Sequence, residues 1–478
     1  MTTRRFVSIT APLAVCALLA GWIALSAANA EAASFSMLVY ALANLIVYTD
    51  ALDFVLRLYM RRRHTATARG TGREREMSID LRSALPAGAY PAVAVAPYAI
   101  VASVFNLEEH MEEFLAAYEQ YRDRMWLISD GSTDHTLLRL RQAGWRCFDD
   151  GVNRRKPAAL RRLLESLPEY IESVLVIDPD IRILPPGGGS EIDLEQFISE
   201  FQQSGAAAAC PRVMIEPDGF LARFQSFEYA LAFKVGRQSL ADYSITSGVS
   251  LYRRDALMRA LREHSLSVYA EDFENAVIML DRGERIYYDG RLVVGTEGPG
   301  AFTRWFSQRV GWYHGLIKVY IERMGAIWRI ARRSPFALYH YMIYVGGLTI
   351  CLHLVKVVSA ALLLVSFFSG IDDLFAGHLQ SWANPAYFMA AVGSYLVLGV
   401  VALFTVVPKS ERAYAAPIVP LYLFYALVHI APMTVGYANW IALRLTGRRL
   451  YRDHYEPDTL ESSELQSGGH TLATRRLR

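Results

Sequence analysis

The chain has little cysteine and almost no bias of charge. Its 478 residues include four cysteines, Cys16, Cys147, Cys210 and Cys351, spaced far apart. No CxxC pair occurs, which excludes a zinc ribbon and argues against a disulfide framework. The formal net charge is +2, so there is no broad basic surface for nucleic acid. Only 20% of the residues are charged, whereas 53% are hydrophobic. That balance is too apolar for an average soluble enzyme and too charged for a protein made of membrane spans alone.

The apolar residues are unevenly placed. Residues 6–29 and 36–60 each hold a run long enough to cross ~30 Å of hydrocarbon as a helix. Residues 341–368 and 386–407 do the same, and a further apolar region, 415–445, is interrupted by Pro420 and Pro432. The first run has a rival reading, because Arg4 and Arg5 before it and "ALSAANA" at its end also fit a signal peptide. Its length, and the second run close behind it, favour an uncleaved anchor. The basic stretches "TTRR", "RLYMRRRHTATARGTGRERE" and "RRLYRD" flank the runs, and the positive-inside rule puts all three in the cytoplasm. Termini on one side require an even count of crossings. The region 415–445 therefore reads as a hairpin, or as two short spans broken at Pro432.

The expected organisation is a multi-pass protein of the cytoplasmic (inner) membrane, with its soluble domain facing the cytoplasm. Two N-terminal transmembrane helices fill 1–62, and a basic linker fills 63–94. A soluble domain spans 95–300, and 301–335 are amphipathic interfacial helices with apolar residues every three or four positions from Phe302 to Ala331. Arg304, Lys318, Arg329, Arg332 and Arg333 fall mostly on the opposite side. A C-terminal transmembrane region covers 336–446, and a hydrophilic, disordered tail covers 447–478. His353 and Lys356 sit within the run 341–368, where a charge costs on the order of 2.5–3.5 kcal/mol and either faces a cavity or snorkels to the surface.

Within the soluble part, "YAIVASVF", "MWLISD" and "VLVIDPD" read as buried strands alternating with the helical stretches "EEHMEEFLAAYEQYR", "TLLRLRQAG" and "RKPAALRRLLESL". Alternating units of this kind give a parallel sheet covered by helices on both faces. Ligands usually bind such sheets at the carboxyl ends of the strands. Asp130, in "SDGSTD", and the pair Asp178 and Asp180, in "DPD", fall at such ends. Each is open to a plain reading as a turn or helix cap. Two carboxylates one residue apart also repel unless a cation lies between them, and hard oxygen ligands suit Mg²⁺ or Mn²⁺. "YAEDFEN" adds the acidic pair Glu271 and Asp272, which is either a helix start or a place for a general base. "RWFSQRVGW" offers Trp305 and Trp312 for stacking on a sugar ring, or for seating a helix at a membrane surface.

Taken in order, "DGSTD", "DPD", "SGVSLYRR", "ED" and the Gln–Trp pair, framed by apolar runs, resemble the family 2 inverting glycosyltransferases over residues 95–445. The resemblance is greatest to the membrane-embedded branch that includes cellulose, chitin and hyaluronan synthases. It implies an α/β GT-A-like, Rossmann-type cytoplasmic domain inserted between N-terminal and C-terminal transmembrane helices. It also implies a UDP-sugar donor, a glycan or lipid acceptor, contact with membrane lipids, accessory export subunits, and Mg²⁺ or Mn²⁺ as cofactor.

Asn106, Glu108, Asp130, Lys156 and Asp178 would bind the nucleotide sugar, and Asp180 with Asp178 the metal. Asp272 would be the general base, supported by Glu271. Ser247, Gly248, Gln308, Arg309 and Trp312 would meet the acceptor. The QxxRW motif of that family departs here, since Gly311 stands where it has arginine, leaving Arg309 or Arg304 to supply the charge for the diphosphate. The implied product is a β-linked polysaccharide made processively and exported. A lipid-directed enzyme adding one or a few sugars is the alternative.

Overall fold

The computed structural model describes residues 40–70, 95–376 and 385–451. The run 6–29, residues 71–94 of the linker and the tail beyond Tyr451 lie outside the described residues. Eight strands form one sheet: β1 (Tyr98–Val104), β2 (Met125–Ser129), β3 (Cys147–Asp149), β4 (Ser173–Val176), β5 (Arg182–Ile183), β6 (Ala208–Ile215), β7 (Ser250–Arg253) and β8 (Ile286–Thr296). Their spatial order is β3-β2-β1-β4-β7-β6-β8-β5.

β1, β2, β3 and β4 are parallel, as alternating strands and helices predict. Their side chains are buried on both faces: Ala99, Val101, Val174 and Val176 enter one core, and Ile100, Ala102, Leu127 and Leu175 the other. Burial on both faces is why these strands read as continuous apolar runs rather than alternating ones. Each of the valine, leucine and isoleucine side chains contributes about 1.5–3 kcal/mol on burial.

The sheet is not wholly parallel, which corrects the sequence expectation. β7 runs antiparallel to both β4 and β6, with Val176 opposite Ser250. Reversing β7 starts it at the carboxyl end of β4. The residues just before it, Ser247 and Gly248, are thereby delivered to the Asp178 turn. A parallel β7 would carry them to the far edge of the sheet.

The first core continues out of the domain. Val319, Tyr320, Ile327 and Ile330 belong to it, and so do Tyr341 and Val345. The stretch 301–335 accordingly forms two packed helices, Phe302–Glu322 and Met324–Ala331. Lys318, expected on the polar side, is buried, with its ammonium 2.9 Å from Glu322 and 3.0 Å from the Ser265 hydroxyl.

By length and composition, two helices among the described residues can cross a membrane, Tyr387–Thr405 and Lys409–Thr446. A third arises if Pro335–Cys351 and His353–Phe368, bent by 51° at their junction, act as one span. His353 sits at that bend and bonds the Thr434 hydroxyl at 2.9 Å. Lys356 faces Asp50 at 4.0 Å, so its charge has a carboxylate partner on another helix. The expected break at Pro432 is absent, because Tyr422–Thr446 runs through it as one helix. Proline costs the helix one internal hydrogen bond there, and neighbouring helices in an apolar setting tolerate that loss. The described part of the second expected span, in Leu45–Gly70, carries Asp50, Asp53 and Arg57; Arg57 pairs with Asp53 at 2.7 Å.

Candidate active site

The carboxyl end of β4 opens into the turn that holds Asp178 and Asp180. Main chain closes this turn, with the Ile181 amide donating to the Asp178 carbonyl at 3.1 Å, so neither carboxylate is spent on capping it. The Asp178 carboxylate lies 2.5 Å from the Lys156 ammonium, which also lies 2.9 Å from Glu271. Lys156 opens the helix Lys156–Ser166, and Glu271 and Asp272 open the helix Glu271–Asp281. One cation thus gathers acidic residues that are about ninety positions apart in the chain. Asp180 accepts from the Thr296 hydroxyl at 2.7 Å, at the end of β8.

The remaining wall is the loop before β7. Gly248 sits so close to Asp178 that a Cβ on it would fall 2.1 Å from the carboxylate oxygen Oδ2. Ser247 is held internally, donating to the Val249 carbonyl at 2.8 Å and lying 3.1 Å from Cys210 Sγ. Thr246 donates to the Asp272 carbonyl at 2.7 Å, and Arg237 donates to the Thr246 carbonyl at 2.8 Å.

Electrostatics at this end of the sheet favours a cation. Burial pushes the Asp178 carboxyl up to about 6; Lys156 opposes that rise, and Asp180 and Glu271 add to it. Burial, then the Glu271 charge, pushes Asp272 up to about 6 as well, with Arg237 and Lys156 pulling the other way. Four carboxylates therefore face two cations, an excess of negative charge that a divalent ion would relieve. Among the described residues no three acidic, histidine or cysteine side chains form a ready metal cage. The residues nonetheless fit Mg²⁺ or Mn²⁺, which commonly bind one or two carboxylates and complete their shell with substrate phosphate and water.

The other expected residues form two further groups. In the first, Asp130 is buried at the end of β2 and accepts from the Arg154 amide at 2.7 Å. Asn106 accepts from the Thr133 amide at 2.8 Å, and Glu108 accepts from the His135 amide at 3.0 Å. Their side chains brace the 132–135 loop beside Asp130. The expected Ser/Thr cap is not formed: the helix Thr136–Gln142 starts after His135, and the Asp134 carboxylate accepts from the Thr136 amide at 3.0 Å.

The second group lies on the Phe302–Glu322 helix. Arg309 is buried against Glu228 at 2.8 Å, with its guanidinium 4.0 Å from the Trp312 ring centroid. Trp312 is exposed, Gln308 is half-buried, and Arg304 is exposed, so Arg309 is the buried cation of the motif. Gly311 lies inside the helix and is buried, and its helical backbone does not require glycine. Burial pushes the Tyr229 phenol up to about 12; Arg309 opposes that rise, and Glu228 and Asp180 add to it, so the charges of this helix and of the aspartate turn both reach it.

Arg237, Glu228 and Thr296 are neighbours of the candidate site that sequence reasoning missed, and Thr246 opened the segment "TSGVSLYRR" without being singled out. Of the first three, only Glu228 carried a signal, as a lone acid within the apolar stretch "FQSFEYALAF".

Behind the acidic pair, Glu274 is 2% exposed and pairs with Arg323 at 2.6 Å. Burial opposes its charge, yet His264, Lys318, the Ser265 hydroxyl and Arg323 together pull its carboxyl down to about 2. This contribution to stability is present above the unfolded glutamate pKa of about 4.3 and is lost as pH falls towards 2. Glu274→Ala should cost ~3–5 kcal/mol at pH 7, as for other broken buried pairs. Thermal unfolding at pH 7 and pH 3 checks this, since the difference between wild type and variant should narrow at pH 3.

No protein-family model matches the chain, and no curated protein matches it. Among solved structures, it is similar to a mannosyltransferase from Pyrobaculum calidifontis in complex with GDP-Man and Mn²⁺. That likeness has 17% identity and a TM-score of 0.46 and covers 82% of this chain and 99% of the other. It is also similar to a glucosyl-3-phosphoglycerate synthase from Mycobacterium tuberculosis in complex with phosphoglyceric acid, at 16% identity and a TM-score of 0.32, over 47% of this chain and 79% of the other.

Proposed function

We propose that the chain is a membrane-bound inverting glycosyltransferase that takes a nucleotide sugar, a UDP-sugar in the first instance, and forms β-linkages as a processive polysaccharide synthase. The observation that carries this reading is the Lys156 ammonium, 2.5 Å from Asp178 and 2.9 Å from Glu271, which brings a diphosphate-type aspartate pair and a base-type acidic pair to one end of the sheet. Asp130, Asn106 and Glu108, on the adjoining loops, would receive the nucleotide.

In this reading Asp272 takes the proton from an acceptor hydroxyl, a contribution of roughly 10²–10⁴-fold. The oxygen bonds to the anomeric carbon on the face opposite the nucleoside diphosphate. The bond from that carbon to the phosphate oxygen breaks, and inversion follows from the direction of attack. Lys156 meets the negative charge that develops on the donor. A divalent ion held by Asp180 and Asp178 would supply Lewis-acid stabilisation of the leaving diphosphate. Trp312, with Arg309 and Gln308, would seat the acceptor sugar, and Gly248 keeps the space above Asp178 clear.

The altered motif supports a second reading, a lipid-directed enzyme adding one or a few sugars, because Gly311 replaces the arginine usual in processive members. The test is purified protein incubated with UDP-sugars and GDP-sugars, with nucleoside diphosphate release and product size measured together. Metal-dependent release with a long polymer supports the first reading, and a single glycolipid band supports the second. The absence of release from every donor would overturn both. Asp180→Asn should abolish turnover and weaken metal-dependent UDP binding, and full activity in EDTA would rule out the metal role.

A further inference from the structure

We infer that the segment following the last helix is a strap that positions the base-bearing turn, with Arg449 acting through Tyr269; this rests on the reading of Asp272 as general base. The helix Tyr422–Thr446 ends at Gly447 in a left-handed cap. The chain then folds back along its own helix and is held there by Asn439, which is fully buried. The Asn439 side chain accepts from the amides of Leu450 at 3.0 Å and Tyr451 at 2.8 Å, and donates to the Tyr451 carbonyl at 3.0 Å. Tyr451 adds a bond of 3.1 Å to the Ser307 hydroxyl.

Between those anchors, Arg449 donates to the Tyr269 hydroxyl at 2.5 Å, and its guanidinium lies 5.0 Å from the same ring. The Tyr269 ring also packs on His314 at 4.7 Å between centroids. Tyr269 precedes Ala270, which is left-handed at φ 53° although it has a side chain. That conformation costs roughly 1–2 kcal/mol and persists only where its surroundings enforce it. Gly315 leaves room for this turn, since a Cβ there would lie 2.7 Å from the Ala270 Cβ. The next two residues are Glu271 and Asp272. A relaxed Ala270 would rotate both away from Lys156, and a displacement near 1 Å is worth about 10²-fold in rate.

The experiment compares full-length wild type with Arg449→Ala, Tyr269→Phe and Arg449→Lys in detergent. Turnover should fall about 10- to 100-fold in the first two, with UDP affinity within about twofold of wild type. Arg449→Lys should recover part of the loss, because a donor remains. Adding Ala270→Gly to Arg449→Ala should also recover turnover, since glycine adopts the left-handed turn without strain. Hydrogen exchange of the 265–272 amides should speed up in Arg449→Ala, a readout independent of any donor. Unchanged exchange and turnover in Arg449→Ala would overturn the strap, and so would a fall in UDP affinity in step with turnover. If wild type turns over no donor, the functional reading fails by itself and the exchange result alone decides the strap.

Discussion

Asp272→Asn should lose roughly 10²–10⁴-fold in turnover while keeping UDP affinity near wild type. The amide is isosteric but cannot accept the acceptor's proton. The Asp272 side chain accepts from the Phe273 amide at 2.8 Å, whereas the donor side of the site is built around Asp130, Asp178 and Asp180. Burial and Glu271 push its carboxyl up to about 6, so the ionised base forms as pH rises through that value. Wild-type turnover should therefore climb between pH 5 and 7, roughly tenfold per unit below the pKa. The variant's residual rate should lack that limb. The sign for stability is opposite. An acid whose pKa is raised in the folded state binds its proton more tightly there, so its burial costs stability as pH rises past the unfolded value near 4. The variant should unfold at the same or a higher temperature than wild type at pH 7. Calorimetry with UDP, a pH–rate profile and thermal unfolding check the three parts. Lost UDP affinity with retained turnover would make Asp272 a donor ligand.

Gly248→Ala should be almost as damaging, for a reason of space rather than chemistry. Its backbone is not left-handed, so alanine fits the local conformation. The added Cβ, however, would lie 2.1 Å from the Asp178 carboxylate oxygen and 3.1 Å from its carbon. Asp178 cannot swing aside freely, because Lys156 holds its other oxygen at 2.5 Å. Either the loop lifts or the Asp178–Lys156 pair breaks, at about 1–3 kcal/mol of overpacking. UDP affinity should drop at least tenfold along with turnover, unlike the result for Asp272→Asn. Calorimetry with UDP, with and without Mn²⁺, reads this directly. Retained affinity would mean that the loop gives way and Asp178 stays in place.

The sequence by itself determined what depends on neighbours along the chain. Val174, Leu175 and Val176 read as a buried strand, which puts the aspartates after them at its carboxyl end. The helix opening at Lys156 and the acidic start at Glu271 were legible for the same local reason. The apolar runs after residue 335 were legible because membrane-length hydrophobicity needs no partner to be recognised.

Only the tertiary structure decided which local pieces meet. β7 is too short, at four residues, for its pattern to declare a direction, yet its reversal is what sets Gly248 against Asp178. Arg237 and Thr246 reach Asp272 through bonds to main-chain carbonyls, which any residue supplies and no motif marks. Lys318 and Lys356 looked like surface or snorkelling charges until Ser265 and Asp50 appeared opposite them. Pro432 looked like a break, because the helices that support it lie elsewhere in the chain. In each case the deciding energy is a contact between residues distant in sequence, and periodicity carries no information about its partner.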